Sequence, residues 1–174
     1  MNEHPLGDTM PPMDDAWKWI QGREGSPLGG STGARLHKLP TGQRFVGKRG
    51  AHQEHVLNEY DMNRFLNALG VGVPNAALYH HQGQPNMLTQ FEERATPLDL
   101  RDRDAVQRVR QDFLPHALIG NWDALGLDLD NVLIRPDGTP TYVDVGGSGP
   151  WRAQGTSKGD AWSGDISDLD TMQY

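Results

Sequence analysis

The densest set of side chains able to hold a hard cation lies in residues 116–149, HALIGNWDALGLDLDNVLIRPDGTPTYVDVGGSG. A first loop carries Asn121, Asp123, Asp128, Asp130 and Asn131, and Asp144 follows with two glycines behind it. Between them VLIRPDGTPTYV reads as strand, Pro-Asp-Gly turn, strand. A hairpin with those ends brings Asn131 and Asp144 side by side at one edge. An amide oxygen and a carboxylate so placed can hold Mg²⁺ against nucleotide phosphates. A calcium loop starting at Asp128 fails, because Leu133 and Thr139 stand where that motif needs Gly and Glu.

Phosphates also need cationic and backbone donors, and these occur upstream. GSPLGGSTG at 25–33 is followed by ARLHKL, a Pro40-Thr41-Gly42 turn and QRFVGK, two alternating strand patterns that place Lys48 at the end of the second. Glycines let backbone approach a phosphate closely. Lys48 lies 15 residues after Gly33. Gly42 to Lys48 also fits G-x-x-x-x-G-K, but Arg49 replaces the Ser or Thr a P-loop requires, and Arg44-Phe45-Val46 favour a strand over a helix start.

The elements that position these residues follow from periodicity. HQEHVLNEYDMNRFLNALG is helical, with Val56, Leu57, Tyr60, Phe65, Leu66 and Leu69 at three- and four-residue spacing and Gly70 as a stop. It offers Glu54 and Glu59 as partners for Lys48, and Glu59, at the edge of the apolar stripe, is the favoured one. Residues 76–79 and 86–90 read as short strands around HHQGQP, leading to a hinge-like FEERATPL whose backbone at about Gln90 to Glu92 can meet an adenine edge. DRDAVQRVRQDFLPHALIG is a second helix, kinked at Pro115. Ahead of the sheet, Asp14 or Asp15 is expected to cap a short helix carrying Trp17, Trp19 and Ile20. Residues 1–13 read as a flexible leader. Residues 150–174 are Gly-, Ser- and Asp-rich with Trp151 and Trp162 as anchors, and 165–174 have faint helical character.

Composition sets limits. The chain has 174 residues, 36% hydrophobic, with 21 glycines, enough for two small lobes with a modest core and long loops. A formal charge of −7 argues against nucleic-acid backbone binding. No apolar run reaches membrane-spanning length, and the N-terminus has no apolar signal core. Zero cysteines exclude disulfides, thiol nucleophiles and Cys-type zinc sites. His80 and His81 sit in a turn without a third ligand at metal spacing.

Taken in order, the glycine-rich loop, strand lysine, helix glutamate, hinge, helix, Asp…Asn loop, hairpin and Asp-x-Gly resemble the protein-kinase-like superfamily. GNWDALGLDLDN with VDVGGSG is similar to compact bacterial and phage members, the neighbourhood of the HipA-type toxins and small effector kinases. The resemblance covers about residues 25–150, and the Asn131 to Asp144 interval of 13 matches the family's own. It implies an α+β, minimal two-lobed kinase-like fold with a truncated C-lobe: an N-lobe over 14–92 and a reduced C-lobe over 93–174. It implies that Lys48 contacts the ATP α- and β-phosphates and pairs with Glu59. Asp123 would orient or deprotonate the acceptor hydroxyl, and Asn131 and Asp144 would bind Mg²⁺. Gly29, Gly30 and Gly33 would cover the phosphates, and Gln90 and Glu92 would flank the adenine. The chain departs from the family where Asn121-Trp122-Asp123 replaces His-Arg-Asp and Val145 replaces Phe. Asp123 also stands eight residues before Asn131, a wider interval than usual, so residues between them must bulge, and Asp128 or Asp130 stays open as the base. The expected activity is phosphate transfer from ATP to a protein Ser or Thr hydroxyl. AMP transfer, small-molecule phosphorylation and a pseudokinase are the alternatives. The expected location is the cytoplasm or, for an effector, a host cell.

Overall fold

The computed structural model describes residues 13–29, 32–163 and 165–166. The expected leader before Met13, Gly30, and all of the 165–174 stretch beyond Ile166 lie outside the described residues. No described helix is long and apolar enough to cross a membrane.

Helix α1 (Met13–Ile20) opens the fold. Strands β1 (Ser26–Pro27), β2 (Arg35–Lys38), β3 (Arg44–Lys48), β4 (Ala76–His81) and β5 (Gln84–Gln90) form an antiparallel sheet in the order β1-β2-β3-β5-β4. Ala16 and Ile20 of α1 pack on Leu39, Phe45 and Leu88, and Trp17 stacks on Tyr79 with ring centres 4.9 Å apart. Neither aspartate caps this helix. Both sit in its first turn, Asp14 accepting from the Tyr79 hydroxyl at 2.8 Å and Asp15 from Lys18 at 3.0 Å, where free N–H groups favour negative charge.

Helix α2 (Gln53–Ala68) crosses between β3 and β4. The His52 ring caps it, accepting from the His55 N–H at 3.3 Å, and Gly70 ends it at φ +83°. The expected apolar stripe is the buried face only at Val56 and Leu66. Leu57, Phe65 and Leu69 are exposed, whereas His55, Val56, Glu59, Asn63 and Leu66 are buried. Part of this helix therefore packs against polar groups, which a pattern of apolar residues does not report.

Beyond Gln90 the chain forms a second antiparallel sheet, β6 (Thr96–Pro97), β7 (Val132–Ile134) and β8 (Pro140–Tyr142). β7 and β8 are the expected hairpin, turning through Gly138 at φ +83°. Helix α3 (Arg103–Gln111) is capped by Asp102, which accepts from Asp104 and Ala105 N–H. The expected kink is a break one turn earlier. The helix stops at Asp112, and Pro115 lies in the first turn of a separate α4 (Phe113–Leu118), where a missing N–H costs little. Leu66, Val71, Ala105, Ile119, Val132, Tyr142 and Val145 share one core, so α2 belongs to both halves.

Candidate active site

Lys48 ends β3 on the face toward α2 and is 5% exposed. Its Nζ donates to Glu59 Oε1 at 2.5 Å and to the Val143 carbonyl at 2.9 Å, with Asp144 Oδ1 at 3.8 Å. Glu54 is elsewhere, exposed and paired with His52. On the lysine, burial disfavours charge, but Asp144 and Glu59 outweigh it and hold the ammonium above the usual lysine range. On Glu59, burial is the larger effect and pushes the carboxyl up against the pull of Lys48. We take the pair as ionised, because Nζ faces three oxygen acceptors and a neutral amine has too few protons to serve them.

The β7–β8 register places Val132 opposite Tyr142, and one step outward the Val143 N–H donates to the Asn131 carbonyl at 3.0 Å. Asn131 and Asp144 thus leave the same end of one hairpin. The Asn131 amide donates to the Asp123 carbonyl at 2.8 Å and to Asp123 Oδ2 at 3.3 Å, so its Oδ1 is the atom left for a cation. Asp144 keeps 39% of its side chain exposed, and its Oδ1 takes the Gly146 N–H at 3.0 Å. Two oxygens of this kind suit Mg²⁺, which takes few protein ligands and completes its shell with phosphate and water. Among the described residues no cluster of three or more His, Cys, Asp or Glu stands ready to hold a metal alone.

The longer Asp123–Asn131 interval closes in two turns. Gly126 N–H donates to the Asp123 carbonyl and Leu129 N–H to the Gly126 carbonyl, with Gly126 at φ +75°. A Cβ on Gly126 would strike the Asp130 carboxylate. Leu127 at the bulge is 99% exposed. Burial, then the Asp144 charge, raises the Asp123 carboxyl, and the Asn131 amide opposes them.

A cavity of about 240 Å³ lies between the sheets, lined by Gly29, Lys48, Gln90, Glu92, Asn131 and Asp144 among others. Asp130 also lines it, whereas Asp123 opens on the neighbouring apolar groove with Phe113, Leu114, Trp122 and Leu125. Gly29 and Gly33 both hold positive φ, but Gly33 lines a different cavity on the α1 side. The Gln90 and Phe91 N–H groups are engaged by the Asn75 and Arg44 carbonyls. The Glu92 carboxylate is committed to Arg135, with Nε–Oε2 at 2.9 Å and Nη2–Oε1 at 2.6 Å. Glu92 therefore ties the hinge to the hairpin through its side chain, leaving only its backbone for a ligand.

A Helicobacter pylori proinflammatory kinase, CtkA, is similar in structure with a TM-score of 0.51 over 75% of this chain and 59% of its own, at 12% identity. The fold is kinase-like. No protein-family model and no curated protein matches the sequence. This chain spans 59% of that kinase's length, and at 12% identity the likeness is one of fold.

Within the kinase-like fold, two residues that sequence reasoning passed over hold the Asp144 segment. His55, fully buried one turn before Glu59, accepts from the Ala51 N–H at 3.2 Å and meets the Gly146 carbonyl at 3.0 Å. The first contact fixes the tautomer, so Nε2–H donates to Gly146. Burial, only partly offset by that bond, keeps the ring's pKa low. Asn58 donates to the Ser148 carbonyl and His52 reaches the Gly155 carbonyl. Lys158, 4% exposed, donates to the Gly120, Gly147 and Gly149 carbonyls at 2.5, 2.9 and 2.9 Å, with Trp122 and Trp162 flanking its ammonium. Trp151 packs edge-on against His52, so both late tryptophans serve as anchors. Nothing local in KGDAW marks Lys158. Its carbonyl partners become neighbours only on folding.

Proposed function

We propose that this protein is an ATP- and Mg²⁺-dependent phosphotransferase that moves the γ-phosphate to a protein Ser or Thr hydroxyl, with residues 14–92 and 93–174 as its two lobes. The observation that carries the reading is Lys48, clamped by Glu59 and 3.8 Å from Asp144 in the cavity that also holds Asn131. A buried ammonium pre-oriented in this way offers charge to α- and β-phosphates without reorganising. Asn131 and Asp144 would hold the Mg²⁺, which when bound neutralises charge on the phosphates. The Gly29 loop would cover them, and the backbone near Glu92 would meet the adenine.

Asp123 would receive the acceptor. Its side chain faces the apolar groove while its neighbour Asn131 faces the nucleotide cavity. The acceptor oxygen forms its bond to the γ-phosphorus as the β–γ bridging bond breaks, ADP departs, and the hydroxyl proton passes to the Asp123 carboxylate. An upward-shifted carboxyl is better matched to taking a proton near neutral pH than an ordinary aspartate. The kinase named above is a bacterial protein, and the small bacterial kinase-like proteins are the relatives we favour.

The test is transfer of ³²P from γ-labelled ATP to a generic protein substrate or to the chain itself. We expect labelling that requires Mg²⁺ and falls at least about a thousandfold in Asp144→Ala. Undiminished labelling in that variant refutes the assignment, and incorporation from α-labelled ATP instead would make the enzyme an AMP transferase.

A further inference from the structure

We infer that the α1 face of the five-stranded sheet carries a second site, for a small phosphate-type anion, formed by His37, Arg35 and Arg49. This site is separate from the nucleotide cavity. Gly47 and Lys48 are successive on β3 and so face opposite sides of the sheet. Lys48 points to the nucleotide side, and Gly47 lines a cavity of about 220 Å³ on the other.

His37 is the unusual feature of this cavity. Its residue is 7% exposed, and its ring lines the cavity without a side-chain hydrogen bond among the described residues. Two glycines make room for its ring. A Cβ on Gly25 would stand 2.9 Å from the imidazole, and one on Gly47 3.1 Å from Nε2. Neither glycine has a positive φ; at Gly47 the ring is the nearest obstacle, whereas at Gly25 the Leu36 carbonyl oxygen, at 2.6 Å, is closer still. A ring that opens on a cavity with its nitrogens uncommitted is available to a ligand there.

The surroundings define what would supply it. The charged residues lining the cavity are Arg23, Arg35, Arg49 and Glu24, a formal charge of +2 in a chain of −7. None of the three arginines has a carboxylate partner among the described residues. Arg35 donates to the Gly25 carbonyl at 3.2 Å, Arg49 to Asn86 Oδ1 at 3.2 Å, and Arg23 to the Trp19 carbonyl. Burial, then the Arg35 and Arg49 charges, push the His37 pKa down, as expected of a ring sitting in uncompensated positive potential. Converging guanidiniums with spare N–H donors favour phosphate geometry. The volume is below the roughly 300–1,000 Å³ of pockets for larger ligands, so the occupant is a single phosphate group, free or borne on a protein side chain.

The experiment is histidine-selective NMR of the full chain, titrated with inorganic phosphate at constant ionic strength. The His37 resonance, assigned by its loss in His37→Gln, should shift and saturate while that of His116 stays. In Arg49→Gln, at an exposed position, half-saturation should rise at least about tenfold, the loss expected for one charge-assisted hydrogen bond. Arg35→Gln should do the same. A phosphoserine peptide that binds more tightly than inorganic phosphate assigns the site to a phosphorylated chain; the reverse order assigns it to free phosphate. A His37 resonance that neither probe moves, or a midpoint unchanged in both arginine variants, overturns the proposal. The outcome is independent of whether the nucleotide site transfers phosphate.

Discussion

Asp144 does not set its own orientation. The Gly146 N–H holds its Oδ1, the His55 Nε2–H holds the Gly146 carbonyl, and the Ala51 N–H holds His55 Nδ1. His55 is therefore a positioning residue that acts through one peptide unit on a proposed metal ligand. Partners of this kind commonly affect metal affinity or turnover by about 10–100-fold. We expect His55→Leu to lower kcat by at least about tenfold and to raise the Mg²⁺ concentration needed, with the KM for ATP little changed. His55→Gln, which retains an N–H donor, should restore most of the loss. Steady-state kinetics across a Mg²⁺ series checks this. A purely structural role would instead lower stability and leave the Mg²⁺ dependence of both variants alike.

At the scale of elements, α2 coordinates the site. From one face it pairs Glu59 with Lys48, fixes Gly146 through His55 and binds the Ser148 carbonyl through Asn58. Its C-terminal turn is joined to β8 at a tight approach, where the Tyr142 N–H donates to the Gly72 carbonyl at 2.9 Å. A Cβ on Gly72 would collide with the Pro140 carbonyl oxygen and stand 3.3 Å from the Arg135 guanidinium. Both obstacles are held, the first by the strand and the second by Glu92. Gly72→Ala should therefore cost about 2 kcal/mol or more, a fall in Tm of roughly 4–8 °C for a chain of this size. Calorimetry measures it, and an unchanged Tm would mean that the loop yields freely.

For the molecule as a whole, acid stability should track His116. The ring is 4% exposed and packs tilted against Tyr142, and burial lowers its pKa to about 4. The unfolded chain binds the proton near pH 6.5 and the folded chain only near 4. Stability is thus full above 6.5 and declines as pH falls toward 4, by about 3 kcal/mol at most. Urea midpoints between pH 7 and 4 should show the decline, and His116→Gln should flatten it. How much of this molecule was legible beforehand depends on the sequence separation of the contacts involved. Asn131 and Asp144 could be paired from the sequence because a short hairpin fixes its own register, and Lys48 because a strand ending after a tight turn has a definite last residue. The same local rules only half succeeded on α2, where apolar spacing found the buried Val56 and Leu66 but also pointed to the exposed Leu57, Phe65 and Leu69 and missed the buried His55 and Asn63. They also misplaced Asp14, Asp15 and the break before Pro115. The sequence by itself determined the order of elements, the hairpin edge and the lysine, all properties of neighbouring residues. Only the tertiary structure engaged Glu92 with Arg135 and brought His55 and Lys158 to carbonyls 91 and 38 residues away. The reason is physical. A backbone carbonyl has the same chemistry in every residue, so its side-chain partner is selected by where the packed chain leaves it unpaired.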